Sequence, residues 1–306
     1  LGGVIFGGKK MKVDQAEKLR AAVRKGHTAA EKGRQCQSRV IAVTSGKGGV
    51  GKTNLVLNLA LKLAQMNHRV VVFDADLGLG NVDILINAVP EYTLEDVISG
   101  EKDILEIIIE GPCNLKIVPG GSGLFDLANL DMVRRNRLLD KLQVLENEGE
   151  IILLDTSAGI SKNVTDFIKV ADEFILVTTP EPLALADAYG LLKVIAGDNL
   201  NSSGYLVVNC VKHMLQGERT FNRLENMVQN FLPGLKIRYL GSIEYDSAVS
   251  LAVQDFSPFL LKYPNSPAAA SIHQIAWRLL SNAGFQPPPL RRKTSFVERL
   301  KQLLIN

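Results

Sequence analysis

Residues 41–53 read IAVTSGKGGVGKT, and this stretch constrains the fold more than any other in the chain. Ile41, Ala42 and Val43 form a short apolar strand pattern, residues 45–51 a glycine-rich loop, and Lys52 onward a helical pattern. That strand–loop–helix order is the setting a phosphate-binding loop requires. Gly48, Gly49 and Gly51 remove Cβ atoms that would keep the backbone from curling around an anion. The helix N-terminus adds partial positive charge. Lys52 can then reach the phosphates and the Thr53 hydroxyl can hold Mg²⁺, with Val50 and Asn54 completing the nucleotide-binding run.

A second lysine, Lys47, lies inside the loop and makes the pattern K-G-G-x-G-K-T. This resembles the deviant phosphate-binding loop of the MinD/ParA family. The resemblance implies a doubly wound, mostly parallel α/β sheet of the SIMIBI P-loop NTPase type, here with N- and C-terminal helical appendages. It also implies ATP and Mg²⁺ as cofactors. Lys47 would reach across a nucleotide-sandwich homodimer to the partner's phosphates.

Further motifs follow at the ends of apolar runs. In FDADLGLGNVD, Asp74 and Asp76 leave a strand at its C-terminal end, where α/β sheets bind ligands. By resemblance Asp76 orients the attacking water and Asp74 supports Mg²⁺. Residues 151–154 are an apolar strand closed by Asp155, an arrangement that binds Mg²⁺ through the carboxylate. Ser157, Ala158 and Gly159 follow as small residues that permit close backbone approach; flagellar relatives more often read D-T-G-A-G here. The segment TTPEPLALADAYGLLK matches the family's dimer-face segment. Asn209, at the end of the strand 205–208, contacts adenine by resemblance, or is a buried hydrogen-bonding asparagine. Residues 241–246, ending in Asp246, correspond to the other base-side loop. Residues 131–145 read as a helix carrying Arg134, Arg135 and Arg137, and residues 267–281 as an apolar-faced helix with Trp277.

Composition excludes several classes. Cys36, Cys113 and Cys210 are scattered, without C-x-x-C pairs or histidines at ligand spacing, so neither a disulfide framework nor a zinc site is indicated. No apolar run reaches the ~20 residues that span a bilayer. The formal charge of +3 hides an asymmetry: residues 1–39 carry ten lysines and arginines against three acids, and residues 291–306 carry five against one. The body between them is therefore at −8, an acidic globule with basic ends.

Residues 1–39 form a basic segment. Residues 1–12 are a flexible lead or precede a start at Met11, residues 14–25 are an amphipathic helix, and a polar linker follows. Residues 40–284 are the ATPase domain, 285–294 a proline-rich basic linker, and 295–306 a short amphipathic helix capped by Ser295. At ~1.5 Å per residue that helix is too short to cross a membrane; it suits an anionic lipid surface, or else packs on its own domain or on a protein partner. Asp14, Gln15, Ala16, Leu19 and Arg20 repeat the D-Q-A-x-x-L-R helix of the flagellar FlhG (YlxH, FleN) group, which implies activation of an FlhF-like GTPase. The expected function is a slow ATPase that dimerises with ATP, binds the inner face of the cytoplasmic membrane reversibly and sets flagellar number or placement. A flagellar switch (C-ring) protein or a transcription regulator is the implied further partner, and DNA is not an expected one. Chromosome or plasmid partition and cell-division positioning are the alternatives.

Overall fold

The computed structural model describes residues 38–76, 82–120, 133, 139–197, 203–282 and 294–305. The segment 14–25, Arg134, Arg135, Arg137 and the linker 285–293 lie outside the described residues. The described residues all belong to one compact unit, Ser38–Asn306.

The strands are β1 (Arg39–Ser45), β2 (Val70–Ala75), β3 (Ile109–Glu110), β4 (Lys116–Val118), β5 (Ile151–Ala158), β6 (Glu173–Thr178), β7 (Ser203–Val211) and β8 (Lys236–Glu244). They build a single sheet in the order β3-β4-β2-β5-β1-β6-β7-β8, parallel throughout except for the β3–β4 pair. Helices connect the strands: α1 (Lys52–Gln65), α2 (Val82–Leu85), α3 (Leu94–Ser99), α4 (Leu145–Glu148), α5 (Lys162–Val170), α6 (Pro182–Gly197) and α7 (Met214–Phe231). After β8 come α8 (Ser247–Gln254), α9 (Phe259–Lys262), α10 (Pro267–Asn282) and α11 (Phe296–Ile305).

Both faces of the sheet are covered, which is why its strands are nearly continuous apolar runs rather than alternating ones. Val40 and Ala42 of β1 belong to one core with α5, α6 and α7, whereas Ile41 and Val43 belong to the other with α1 and α10. Connections leave β1 in both directions, so its C-terminal end is a topological switch point where such sheets open a crevice.

The C-terminal helix α11 is part of this packing. Ser295 and Glu298 cap it reciprocally, the Ser295 hydroxyl accepting from the Glu298 N–H at 3.1 Å and the Glu298 carboxylate accepting from the Ser295 N–H at 3.0 Å. Its apolar residues Phe296, Val297 and Leu300 are each 4% exposed within the core that α5 shares. Arg299, placed by helical spacing on the polar face, is instead 8% exposed. It donates to the Val170 carbonyl at 2.7 Å and pairs with Asp172 at 3.0 Å. Trp277 is also placed differently from its helix's apolar pattern: Ile272, Ile275 and Leu279 of α10 face the core, and Trp277 is 60% exposed.

Candidate functional site

The loop between β1 and α1 curls at the switch point. Gly49 (φ 77°) and Gly51 (φ 86°) occupy the left-handed region that side chains disfavour. Gly51 is also pressed by its surroundings, because a Cβ there would stand 2.3 Å from the Asn209 Nδ2. No side chain caps α1 and its first turn holds no acid, so its N–H groups face the loop without an internal anion.

Below the loop lies a buried ion pair. Lys52 (7% exposed) bonds one carboxylate oxygen of Asp155 (1% exposed) at the C-terminal part of β5. Burial pushes the Asp155 carboxyl above its ordinary range, and Lys52, followed by Thr53, opposes that push. Asp155 Oδ2 is buried with no hydrogen-bond partner among the described residues. An orphaned carboxylate oxygen beside the Thr53 hydroxyl is a donor set of the hard-oxygen kind that Mg²⁺ takes, so these residues fit the ion. The exit of β5 is strapped to β1 by the Thr156 hydroxyl on the Val43 carbonyl (3.0 Å) and the Gly159 N–H on the Ser45 carbonyl (2.8 Å).

Asp74 of β2 stands in register with Asp155 on the neighbouring strand. Its buried carboxylate accepts from the Asp76 N–H (3.0 Å) and the Val82 N–H (3.4 Å), so it shapes the loop leaving β2. Asp76 accepts a hydrogen bond from the Ser157 hydroxyl at 2.9 Å and lies close enough to Asp155 to help raise its pKa. The structure therefore brings Lys52, Thr53, Asp74, Asp76 and Asp155 together at one end of the sheet.

Lys47 is held apart from this group. It pairs with Glu181, ahead of α6, at 2.8 Å, with side-chain exposures of 33% and 67%. Leu183, two residues beyond Glu181, is 75% exposed, and Ile160 beyond β5 is 59% exposed.

The base-side residues are engaged with the protein itself. Asn209 donates to the Val50 carbonyl at 2.8 Å and accepts from the Cys210 N–H at 2.9 Å, tying the end of β7 to the phosphate-binding loop. Asp246 caps α8 through the Ala248 N–H (2.9 Å) and also accepts from the Ala268 N–H of α10 (3.2 Å). Sequence reasoning did not single out Glu181 or the Ser157 tie. The glutamate was visible in TTPEP, but nothing local pairs it with Lys47.

Comparison with known proteins agrees with this arrangement. The AAA-domain family model matches residues 38–203. The antiactivator FleN of Pseudomonas aeruginosa is 36% identical over 269 residues, which cover 86% of this chain and 94% of that protein. The flagellum site-determining protein YlxH of Helicobacter pylori is 34% identical over 270 residues, covering 87% and 91%. The chain belongs to the MinD/ParA family of P-loop ATPases, alongside these FlhG-type relatives. The septum site-determining protein MinD of Pyrococcus horikoshii, solved with Mg-ADP, has the same fold at 23% identity, with a TM-score of 0.64 over 81% of this chain and 98% of that one. ATP hydrolysis is the chemistry of this P-loop ATPase family. The lone Cys113 and Cys210 are exposed and unpaired by disulfide, and no group of three or more metal-ligating side chains occurs among the described residues.

Proposed function

We propose that this chain is a slow, switch-like ATPase that dimerises when ATP is bound, associates with membrane in that state, and governs flagellar number or placement together with an FlhF-like GTPase. The observation that carries the reading is the division of labour between the two loop lysines. Lys52 sits on the floor of the site, whereas Lys47 stands at an exposed rim with Glu181, and Ile160 and Leu183 are exposed as well. A second copy covering that rim would bury both apolar side chains and bring Lys47 to the opposite nucleotide. The names of the FleN and YlxH relatives support the flagellar assignment.

In this scheme Lys52 exchanges Asp155 for phosphate charge, while the backbone of residues 48–54 cradles the phosphates. Thr53 and Asp155 hold Mg²⁺, with Asp74 in support, and the ion supplies charge neutralisation when bound. Asp76 orients water, and Asn209 and Asp246 border the base. Phosphoryl transfer relies on such positioning rather than on a strong base.

Docked α11 is the resting state of the membrane anchor. Its face of Phe296, Val297 and Leu300 is covered by the ATPase domain and becomes available to anionic lipid only on release. Two released helices per dimer bind more tightly than one. The segment 14–20 is the contact for the GTPase.

Gel-filtration mass and liposome co-sedimentation, each with ATP and with ADP, test the scheme on the wild type, Lys47→Ala and a chain ending at residue 294. The wild type should double in mass and sediment with ATP only. Lys47→Ala should stay monomeric, and the truncated chain should dimerise without sedimenting. A mass indifferent to nucleotide in the wild type overturns the switch. Division-site positioning is the second reading, on the strength of the MinD fold, and loss of flagellar control without a septation defect in a deletion strain separates the two.

A further inference from the structure

The loop between β1 and α1 meets a different element at each end. At its start Gly46 lies against α6, where a Cβ would stand 2.3 Å from the Asp187 carbonyl carbon. In its middle a Cβ on Gly48 or Gly49 would meet nothing within 4 Å. At its end the Asn209 amide lies on the backbone: Nδ2 donates to the Val50 carbonyl at 2.8 Å and would stand 2.3 Å from a Cβ on Gly51. The Gly51 carbonyl accepts from the Leu55 N–H at 3.0 Å and so opens α1, which makes the Val50–Gly51 peptide the joint between loop and helix.

An irregularity in β7 brings Asn209 there. Val208 pairs with Ser242 and Val211 with Glu244, three steps along β7 against two along β8, so one extra residue is taken up at Asn209 and Cys210. Cys210 has φ 56°, a left-handed conformation uncommon outside glycine. Its N–H is held by Asn209 Oδ1 at 2.9 Å. Bulges next to a site re-aim a side chain, and strained backbone persists where its surroundings over-determine it. The two ends of one amide are therefore divided, Oδ1 to the bulge and Nδ2 to the loop.

A trans peptide points its C=O and N–H to opposite sides, and the Val50–Gly51 peptide is trans. With the Val50 carbonyl fixed on Asn209, the Gly51 N–H is turned away from β7. Successive N–H groups turned into a curled loop make an anion-binding concavity. The same peptide flipped would offer a carbonyl, whose partial charge repels phosphate.

We propose that Asn209 is a positioning residue for the phosphate-binding loop, setting the Val50–Gly51 peptide so that its N–H faces the phosphates, independently of any contact with the base. The proposal rests on the reading of this loop as the ATP site. A cradle shaped in advance costs less to order when its anion arrives, so a polyphosphate without a base feels the effect too.

The experiment titrates the full chain, with Mg²⁺, with ATP and with inorganic tripolyphosphate, each by displacement of a fluorescent ADP derivative. The Gly51 amide is followed by NMR during the tripolyphosphate titration. Asn209→Ala should weaken both ligands roughly five- to tenfold, the size expected for one hydrogen bond, and should shrink the shift of the Gly51 amide. Asn209→Asp keeps an acceptor for the Cys210 N–H and loses the donor to Val50. It should weaken tripolyphosphate at least as much as Asn209→Ala does, since it also sets negative charge beside the anion. A larger loss for ATP than for tripolyphosphate adds a base contact and keeps the clamp.

A loss confined to ATP, with tripolyphosphate within about twofold of wild type, makes Asn209 a base contact only and overturns the proposal. Unchanged affinity for both ligands in either variant overturns it as well. So does a wild type whose Gly51 amide ignores tripolyphosphate, a result that needs no variant to fold. A wild type that binds ATP without competition from tripolyphosphate also overturns it, because the loop then has no hold of its own. If the wild type binds neither ligand, the reading of the loop as the ATP site falls first, and the proposal falls with it.

Discussion

Lys52 and Lys47 come from one loop, five residues apart, and the fold puts them in opposite physical situations. The floor pair, Lys52 with Asp155, is 7% and 1% exposed, while the rim pair, Lys47 with Glu181, is 33% and 67% exposed. In the interior a charge left alone is costly, so the floor pair is bound up with folding itself. At the rim water screens both ends, so that pair contributes little and can be exchanged for another partner. Loop chemistry is thus divided between a lysine that the fold needs and a lysine that the fold leaves available.

Lys52→Ala tests the floor and should have the largest effect, a loss of about 3–5 kcal/mol in urea unfolding, because it strands the buried Asp155 carboxylate. The sign of its pH dependence follows from Asp155. A carboxyl whose folded pKa is raised above 3.8 keeps a proton that the unfolded chain has released. Its stabilising share is complete below the unfolded value and is lost as pH rises through the folded one. Without Lys52 the raising is stronger, so the deficit of the variant should be larger at about pH 7.5 than at about pH 5. A deficit independent of pH would break the floor half of the comparison.

Arg299 supplies an intermediate case, since it is 8% exposed beside an Asp172 at 22%. Arg299→Ala should cost about 2 kcal/mol by thermal or urea unfolding and speed proteolytic removal of residues 295–305. If α11 is the membrane anchor, this variant should also sediment with anionic liposomes in the absence of ATP. A helix that stays protected in Arg299→Ala would assign its docking to Phe296, Val297 and Leu300 alone.

The rim should show the smallest change in stability. Lys47→Ala and Glu181→Gln should each unfold within about 1 kcal/mol of wild type. In gel filtration Lys47→Ala should lose the mass increase with ATP, while Glu181→Gln, which only frees the lysine, should keep it. Destabilisation of Lys47→Ala comparable to that of Lys52→Ala would erase the distinction between floor and rim.

The parallel sheet was legible in the sequence because each strand is a local apolar run, and β1, β2 and β5 deliver Lys52, Asp74, Asp76 and Asp155 at their ends. The two-residue strand β3 was not legible, since a pair such as Ile109 and Glu110 has no pattern of its own. The amphipathic character of 295–306 was visible as well, but helical spacing ranked Arg299 among the polar residues. Its guanidinium is buried only because Val170 and Asp172 wait at the end of α5 to receive it. Ser157 departs from the pattern expected of flagellar relatives, and its reach to Asp76 was not visible along the strand.

Spacing along the chain sufficed for the loop, the family and the carboxylates at the strand ends, because a strand followed by glycines and a helix presents the same backbone groups wherever it occurs. Which charge each lysine meets, which residue holds Asp76, and whether the last helix faces solvent or core were decided by the assembled sheet. Those contacts join residues 81 to 134 positions apart, and burial, which sets their strength, exists only once the layers have closed.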